Sequence, residues 1–174
     1  FVTIQTTGDA TEFGNLIFGR YGNPAVSNGV RGIMMGGNSG NNAISINIEF
    51  VNIQSRGNAE DFGQMISVVD DGGTCCDNTR GVCATSAAGA DTIEFITMAT
   101  FGNATDFGNL SAGRRPRGCS NQTRGLFGGG ADPMNNIIDF ITIQTTGNAS
   151  DFGDLITPVQ QLGAISDIHG GTGD

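Results

Sequence analysis

The chain has 174 residues, a net charge of −9 and 37% aliphatic and aromatic content. That length and composition suit one folded domain with a real core and exclude a disordered chain. All basic residues are arginine. The acidic balance argues against electrostatic binding to nucleic acid or anionic membranes, and no apolar run approaches the ~20 residues of a membrane span.

Glycine supplies 29 of the residues, and charged side chains only 14%, against about 7% and about 25% in ordinary domains. So much glycine points to tight turns and closely packed backbones. It points away from long helices, where each Gly costs about 1 kcal/mol relative to Ala. The chain starts at Phe1 without a leader segment. We read that start as processed, or as internal to something longer.

Taken in order, the chain repeats itself. FVTIQTTGDATEFGNLI begins at Phe1, FVNIQSRGNAEDFGQMI at Phe50, FITMATFGNATDFGNLS at Phe95 and FITIQTTGNASDFGDLI at Phe140. These starts divide a single domain into repeats 1–49, 50–94, 95–139 and 140–174. A period of about 45 residues is in the range of propeller blades. The apolar run leading into each Phe (AISINIEFVNIQ, DTIEFITMAT, NIIDFITIQT) predicts a strand. Its parity switches at the Phe: Ile48 and Phe50 share one face, Val51 and Ile53 the other. Either a β-bulge sits there or the strand is buried on both sides. The Gly-Asn or Gly-Asp that follows suits the positive φ of a hairpin turn. A short strand is expected around DFGNL.

A weak strand then precedes an Arg-Gly block: RGIMMGG from Arg31, RGVCATS from Arg80 and RGLFGGG from Arg124. The block itself is expected to be the fourth strand, its glycines marking the crowded centre of a radial array. Its fourth copy, ISDIHGG from Ile165, is degenerate. Terminal repeats are commonly atypical, so the C-terminus is expected near Asp174. The expected fold is all-β: a β-propeller of four blades, each of four antiparallel strands. The N-terminal segment would complete the blade that the C-terminal segment begins. The alternative is a fragment of a larger propeller.

The order of a hydrophobic-Gly-Gly strand, a spacer and an aromatic-containing strand resembles kelch repeats. One Tyr and no Trp leave the usual kelch aromatic positions unfilled. TRGLFGGG and FITIQTTGNASDFGDL are more closely similar to kelch-like arrays in structural and tail-associated proteins of tailed bacteriophages, especially marine and cyanobacterial ones. The resemblance implies a non-enzymatic virion (extracellular) protein: a tail fibre or receptor-binding propeller for host attachment, or a component of virion assembly. Its partners would be other virion proteins and a host surface glycan or receptor, within a homo- or hetero-oligomeric assembly. The alternatives are a purely structural filament or capsid-decoration subunit, and thirdly a glycan-active enzyme.

No catalytic constellation stands out, and no cofactor is expected. The DFG triplets at Asp61, Asp106 and Asp151 read as turn caps, because a chain without lysine lacks the phosphate-pairing Lys of a kinase. Arg31, Arg80 and Arg124 fill equivalent positions and are expected to bridge neighbouring blades, with Asp61, Asp106 and Asp151 as partners. The segments RYGNPAVSN, VVDDGGTCCDN, AGRRPRGCSN and TPVQQLG differ most between repeats and are read as the loops where binding resides. Within them, Arg114, Arg115 and Arg117 form a candidate binding loop, a local positive patch for an acidic partner or anionic glycan. Cys75, Cys76 and Cys83 crowd one hairpin. With Cys119 they read as small buried residues or one local disulfide. The only His is His169, and no metal site is expected. Sequons occur at Asn103, Asn121 and Asn148, two of them following from the repeat itself.

Overall fold

The computed structural model describes residues 1–40, 43–85 and 89–165. The described residues form no helix and three four-stranded antiparallel sheets, each a meander. In the first, β1 (Ala25–Ser27), β2 (Arg31–Met35), β3 (Asn47–Asn52) and β4 (Glu60–Gln64) pair in chain order. The second runs through β5 (Gly73–Cys76), β6 (Arg80–Ala84), β7 (Thr92–Thr97) and β8 (Thr105–Asn109). The third runs through β9 (Arg115–Ser120), β10 (Arg124–Ala131), β11 (Ile137–Thr142) and β12 (Ser150–Asp154). The first turn of each sheet is closed by a side chain. Asn28, Asp77 and Asn121 each accept, through Oδ1, the N–H groups two and three residues on, at 2.7–3.1 Å. This local alternative to a ladder bond starts the Arg-Gly strand at the same place every time.

Three sheets form among the described residues where four were expected. The degenerate block lies, beyond Ile165, outside the described residues. The repeat boundaries also fall inside sheets. Phe50 lies in β3, Phe95 in β7 and Phe140 in β11, so each sheet takes two strands from one repeat and two from the next.

The Arg-Gly strand is not innermost. β1, β5 and β9 lie inside it and converge: Thr74 Oγ1 donates to the Ala25 carbonyl at 2.9 Å, and Ser120 Oγ to that of Cys76 at 2.8 Å. Three of the variable segments read as loops therefore supply the inner strands. Where backbones converge the strands hold several small residues (Ala25, Ser27, Gly73, Gly118, Cys75, Cys119) among others that differ from copy to copy, which is why they look weak in sequence. The Arg-Gly glycines do admit a neighbour. A Cβ on Gly81 would lie 2.7 Å from Val26 Cγ2 of the first sheet, and one on Gly125 would overlap Cys75 Sγ of the second.

Of the two causes offered for the parity switch, burial of the strand on both faces is the one found on the Phe strand. Its pairing with the Arg-Gly strand runs unbroken through Phe50, Phe95 and Phe140, while a bulge does occur but on the strand that faces it. The register shifts between Ile48 and Glu49, Ile93 and Glu94, and Ile138 and Asp139, leaving Phe62, Phe107 and Phe152 as the extra residues on the facing strand. The middle strand is also covered on both faces, since the adjacent residues Ile48 and Glu49 are both buried, as are Ile93 and Glu94. Ile33, Met35, Phe62, Ile96 and Met98 fill the core between the first two sheets. Val82, Phe107, Phe127, Ile141 and Ile143 fill the next. Phe62 and Phe107 are buried because a sheet follows them, whereas Phe152, at the same position on β12, is 52% exposed. Near the N-terminus, Phe1 and Thr11 exchange main-chain hydrogen bonds at 2.7 and 2.9 Å, and Phe13 meets Phe1 edge-on at 6.2 Å. That is the pairing of Phe50 with Glu60 and the packing of Phe62 on Phe50. Residues 1–15, which hold no strand, thus repeat part of that arrangement and are seated on the first sheet through Phe13 and Asn15.

Candidate functional site

Neighbouring layers are joined in the same way three times. Gly57, Gly102 and Gly147 donate their N–H groups to the carbonyls of Phe13, Phe62 and Phe107 at 3.0, 2.9 and 2.7 Å. Ala59, Ala104 and Ala149 donate to Asn15, Gln64 and Asn109, each at 2.8 Å. Between them, Asn58, Asn103 and Asn148 accept the N–H groups of Asn15, Gln64 and Asn109 at 3.0–3.1 Å. A glycine faces each contact, because a Cβ on Gly14, Gly63 or Gly108 would overlap the carbonyl oxygen of Gly57, Gly102 or Gly147. The Gly-Asn-Ala phrase is therefore a joint as well as a turn. Two of the three sequon asparagines are engaged in it, and Asn121 closes the β9–β10 turn.

Arg31 and Arg80 cross these joints, but not to carboxylates. Arg31 Nη1 donates to the Met98 carbonyl at 2.7 Å, and Arg80 Nη1 to that of Ile143 at 3.1 Å. Each guanidinium lies over a ring of its own sheet: Arg31 at 5.3 Å from Phe50, Arg80 at 4.4 Å from Phe95 and Arg124 at 4.6 Å from Phe140. Asp61, Asp106 and Asp151 are exposed and make no ion pair with these arginines. The expected Arg–Asp bridge is corrected accordingly: a main-chain carbonyl and an aromatic face take the carboxylate's place. Asp151 does act as a local cap, accepting the Gly153 N–H at 3.1 Å.

A row of buried acids escaped the sequence reading. Glu49, Glu94 and Asp139 directly precede the Phe of the middle strand and are at most 1% exposed. Each accepts an N–H from the connection leaving the preceding layer. Ile17 donates to Glu49 at 3.0 Å, Ile66 and Ser67 to Glu94 at 2.8 Å each, and Ser111 to Asp139 at 3.0 Å. Arg20 pairs with Glu49, and Arg114 with Asp139 at 2.9 Å. At the third place the corresponding side chain is Val69, fully buried. The signal was an acid inside an apolar run, repeated directly before Phe50, Phe95 and Phe140.

Glu94 thus lacks a guanidinium. Burial pushes its carboxyl above the ordinary 4.5, the Ile66 and Ser67 N–H groups pull against that, and Asp106 adds to the rise. The folded protein then holds this proton more tightly than the unfolded chain does, so the group favours folding most below pH 4.5 and progressively less as pH climbs through its raised value. The Glu94→Gln variant removes this titration. Urea unfolding should show wild type losing stability relative to the variant as pH rises from about 4 to 7; a pH-independent difference would contradict it.

The positive patch expected at Arg114, Arg115 and Arg117 is not on the surface as a unit. Arg114 is wholly buried and donates to the carbonyls of Gly129, Ala112 and Phe127 besides Asp139. Arg117 pairs with Asp71 at 2.9 Å and Arg115 with Asp132 at 3.5 Å. Each charge has an acid distant in sequence: Arg114 is taken up inside the fold, while Arg115 and Arg117 stand in partly exposed ion pairs at its surface.

The converging inner strands line an open cavity of about 510 Å³, bordered among others by Ser27, Cys75, Cys76, Cys119, Ser120 and Ile165. All four cysteines are free thiols. Burial raises Cys75, Cys76, Cys83 and Cys119 above the ordinary thiol value, so they stay protonated at neutral pH and are poor nucleophiles. Among the described residues no three His, Cys, Asp or Glu side chains form a metal-binding group; His169 lies outside those residues. Among the described residues no helix is long and apolar enough to cross a membrane.

The two ends of the stack differ. At one end stand the repeated turns described above. At the other, the connections 36–46, 85–91 and 132–136 between the second and third strands differ in length and sequence from sheet to sheet. The chain matches no protein-family model and no curated protein.

Proposed function

We propose that the chain is a non-enzymatic virion protein: a kelch-like propeller of four blades that serves host attachment or virion assembly from its variable end. The observation that carries this reading is the contrast between the two ends. One is built from recurring turns consumed in holding the sheets together, the other from connections free to differ, which is how a rigid scaffold presents a binding surface. The radial arrangement is supported by the axis. β1, β5 and β9 approach it, and Leu162–Ala164 lie there with Gly22–Pro24 and Arg117–Gly118 around a cavity of about 350 Å³. In a four-bladed ring the segment from Leu162 to Ala164 would take the fourth position around that centre. The partner is a host surface receptor or glycan, or another virion protein.

The test replaces residues 39–43 and 132–134 together by Gly-Ser stretches of equal length. Binding of the purified protein to host cells should fall at least about tenfold while the melting temperature shifts by no more than a few degrees, as surface changes do. Undiminished binding would refute the variable end as the attachment surface. A gold-labelled chain spread evenly over the capsid lattice, with no cell binding, would favour a purely structural subunit.

A further inference from the structure

At the variable end, the first sheet holds a small cavity of its own. It is open, about 180 Å³ in volume, and lined by Phe18, Arg20, Ser39, Ser45 and Asn47. Sites for drug-sized ligands run to about 300–1,000 Å³, so this one suits a single small ring. Ser39 and Ser45 belong to 36–46, the longest of the three connections between second and third strands. The lining is not a product of the repeat. Ser67 and Ala112 take the place of Phe18 in the next two copies, and Thr92 and Ile137 that of Asn47. Phe18 is 54% exposed, so its ring is not required by the packing that the copies share. A second exposed ring stands nearby. Tyr21 is 60% exposed, and its main chain pairs with that of Asn38, the neighbour of Ser39.

The polar groups of the lining have bonding capacity left over. Asn47 commits its main chain, donating to Ser45 Oγ at 3.0 Å and accepting from Arg20 Nη1 at 3.0 Å. Its side-chain amide makes no hydrogen bond among the described residues. Ser45 Oγ, an acceptor in that bond, keeps its hydrogen to give. Ser39 Oγ donates to the Ala43 carbonyl at 3.1 Å and keeps its lone pairs. What the cavity does not offer is net charge. The Arg20 side chain is 1% exposed, pairs with Glu49 and donates to the carbonyls of Gly36 and Asn47. A carboxylate or sulfate ester would find that guanidinium already neutralised.

We propose that this cavity binds one uncharged sugar residue, its C–H face against the Phe18 ring and its hydroxyls on Asn47, Ser45 and Ser39. A pyranose has an apolar face and a rim of hydroxyls that both donate and accept. Its complement is a phenyl ring bordered by an amide, a hydroxyl donor and a hydroxyl acceptor. The proposal rests on the reading of the variable end as a recognition surface, and it narrows that reading to one class of ligand at one sheet.

Nuclear magnetic resonance titration tests it, with the methyl glycosides of glucose, galactose, mannose and N-acetylglucosamine as neutral probes and glucuronic acid as the charged one. At least one neutral glycoside should shift the main-chain amide signals of Ser39, Ser45 and Asn47 saturably. Phe18→Ala and Asn47→Ala should each weaken that binding about tenfold, and Phe18→Tyr, which keeps the ring, should retain it. Melting temperatures should stay within a few degrees, because Phe18 is exposed and the Asn47 amide is unbonded. If Phe18→Ala melts early, Asn47→Ala alone decides. No saturable shift with any neutral glycoside would overturn the proposal. So would tighter binding of glucuronic acid, or undiminished binding by the alanine variants. Attachment is read separately, on cells: sugar binding without cell binding upholds the cavity and removes the attachment role, whereas cell binding without sugar binding removes the cavity and leaves the attachment role standing.

Discussion

Replacing Arg114 with methionine will destabilise the protein by about 3–5 kcal/mol, the loss expected when one partner of a buried ion pair is removed. Arg114 and Asp139 are both fully buried, and their contact is 2.9 Å. The truncation leaves a carboxylate with only the Ser111 N–H, and it also strips a donor from the carbonyls of Gly129, Ala112 and Phe127. The loss is a large share of the roughly 5–15 kcal/mol that holds an ordinary domain together. Urea unfolding followed by fluorescence or circular dichroism measures it. Removing both charges, as Arg114→Met/Asp139→Leu, should recover part of the loss, because the apolar pair leaves no buried charge. A double variant no better than the single one would show that the main-chain bonds of Arg114, not its charge, stabilise the fold.

Gly108→Val will be at least as damaging, at about 4 kcal/mol or more. Its φ of +143° is strained for a side chain, and a Cβ there would overlap the carbonyl oxygen of Gly147. Either the strand tilts or the third sheet lifts off Phe107. The matched control sits across the same joint. Gly147 also has a positive φ, +155°, but a Cβ on it would meet nothing within 4 Å. Gly147→Val should therefore cost only the backbone strain, about 1–3 kcal/mol. Thermal melts of the two variants isolate the close approach from the conformational preference; equal losses would remove the close approach as an explanation.

The strands were legible because the repeat prints the same apolar run four times, and because a parity switch at a fixed residue has few structural causes. The order of strands within a sheet was not. The inner strands are short and differ between copies, mixing small residues with Val26, Pro116, Arg115 and Arg117, so in sequence they resemble connections. The arginines misled for a related reason. Composition counts charge without showing that Asp139, Asp132 and Asp71 will arrive beside Arg114, Arg115 and Arg117. Glu49, Glu94 and Asp139 were visible as residues, yet an acid within a strand reads as a solvent-facing position until the next layer covers it. The turn glycines were assigned a local task. Their second task, letting two layers touch through main-chain groups, needs two glycines from different repeats and is a property of the pair.

Because β1 and β2 come from one repeat and β3 and β4 from the next, no repeat owns a sheet. Arrays of self-sufficient units fray from their ends, one unit at a time. Here an isolated unit would hold two half-sheets with no partner for either, so melting one sheet disrupts two repeats at once, and each of those is shared again with its neighbour. Unfolding of the stack should accordingly be concerted. The same stitching lets a lineage gain or lose a whole unit by duplication or deletion without leaving an orphaned edge, since every unit brings the end of one sheet and the beginning of the next.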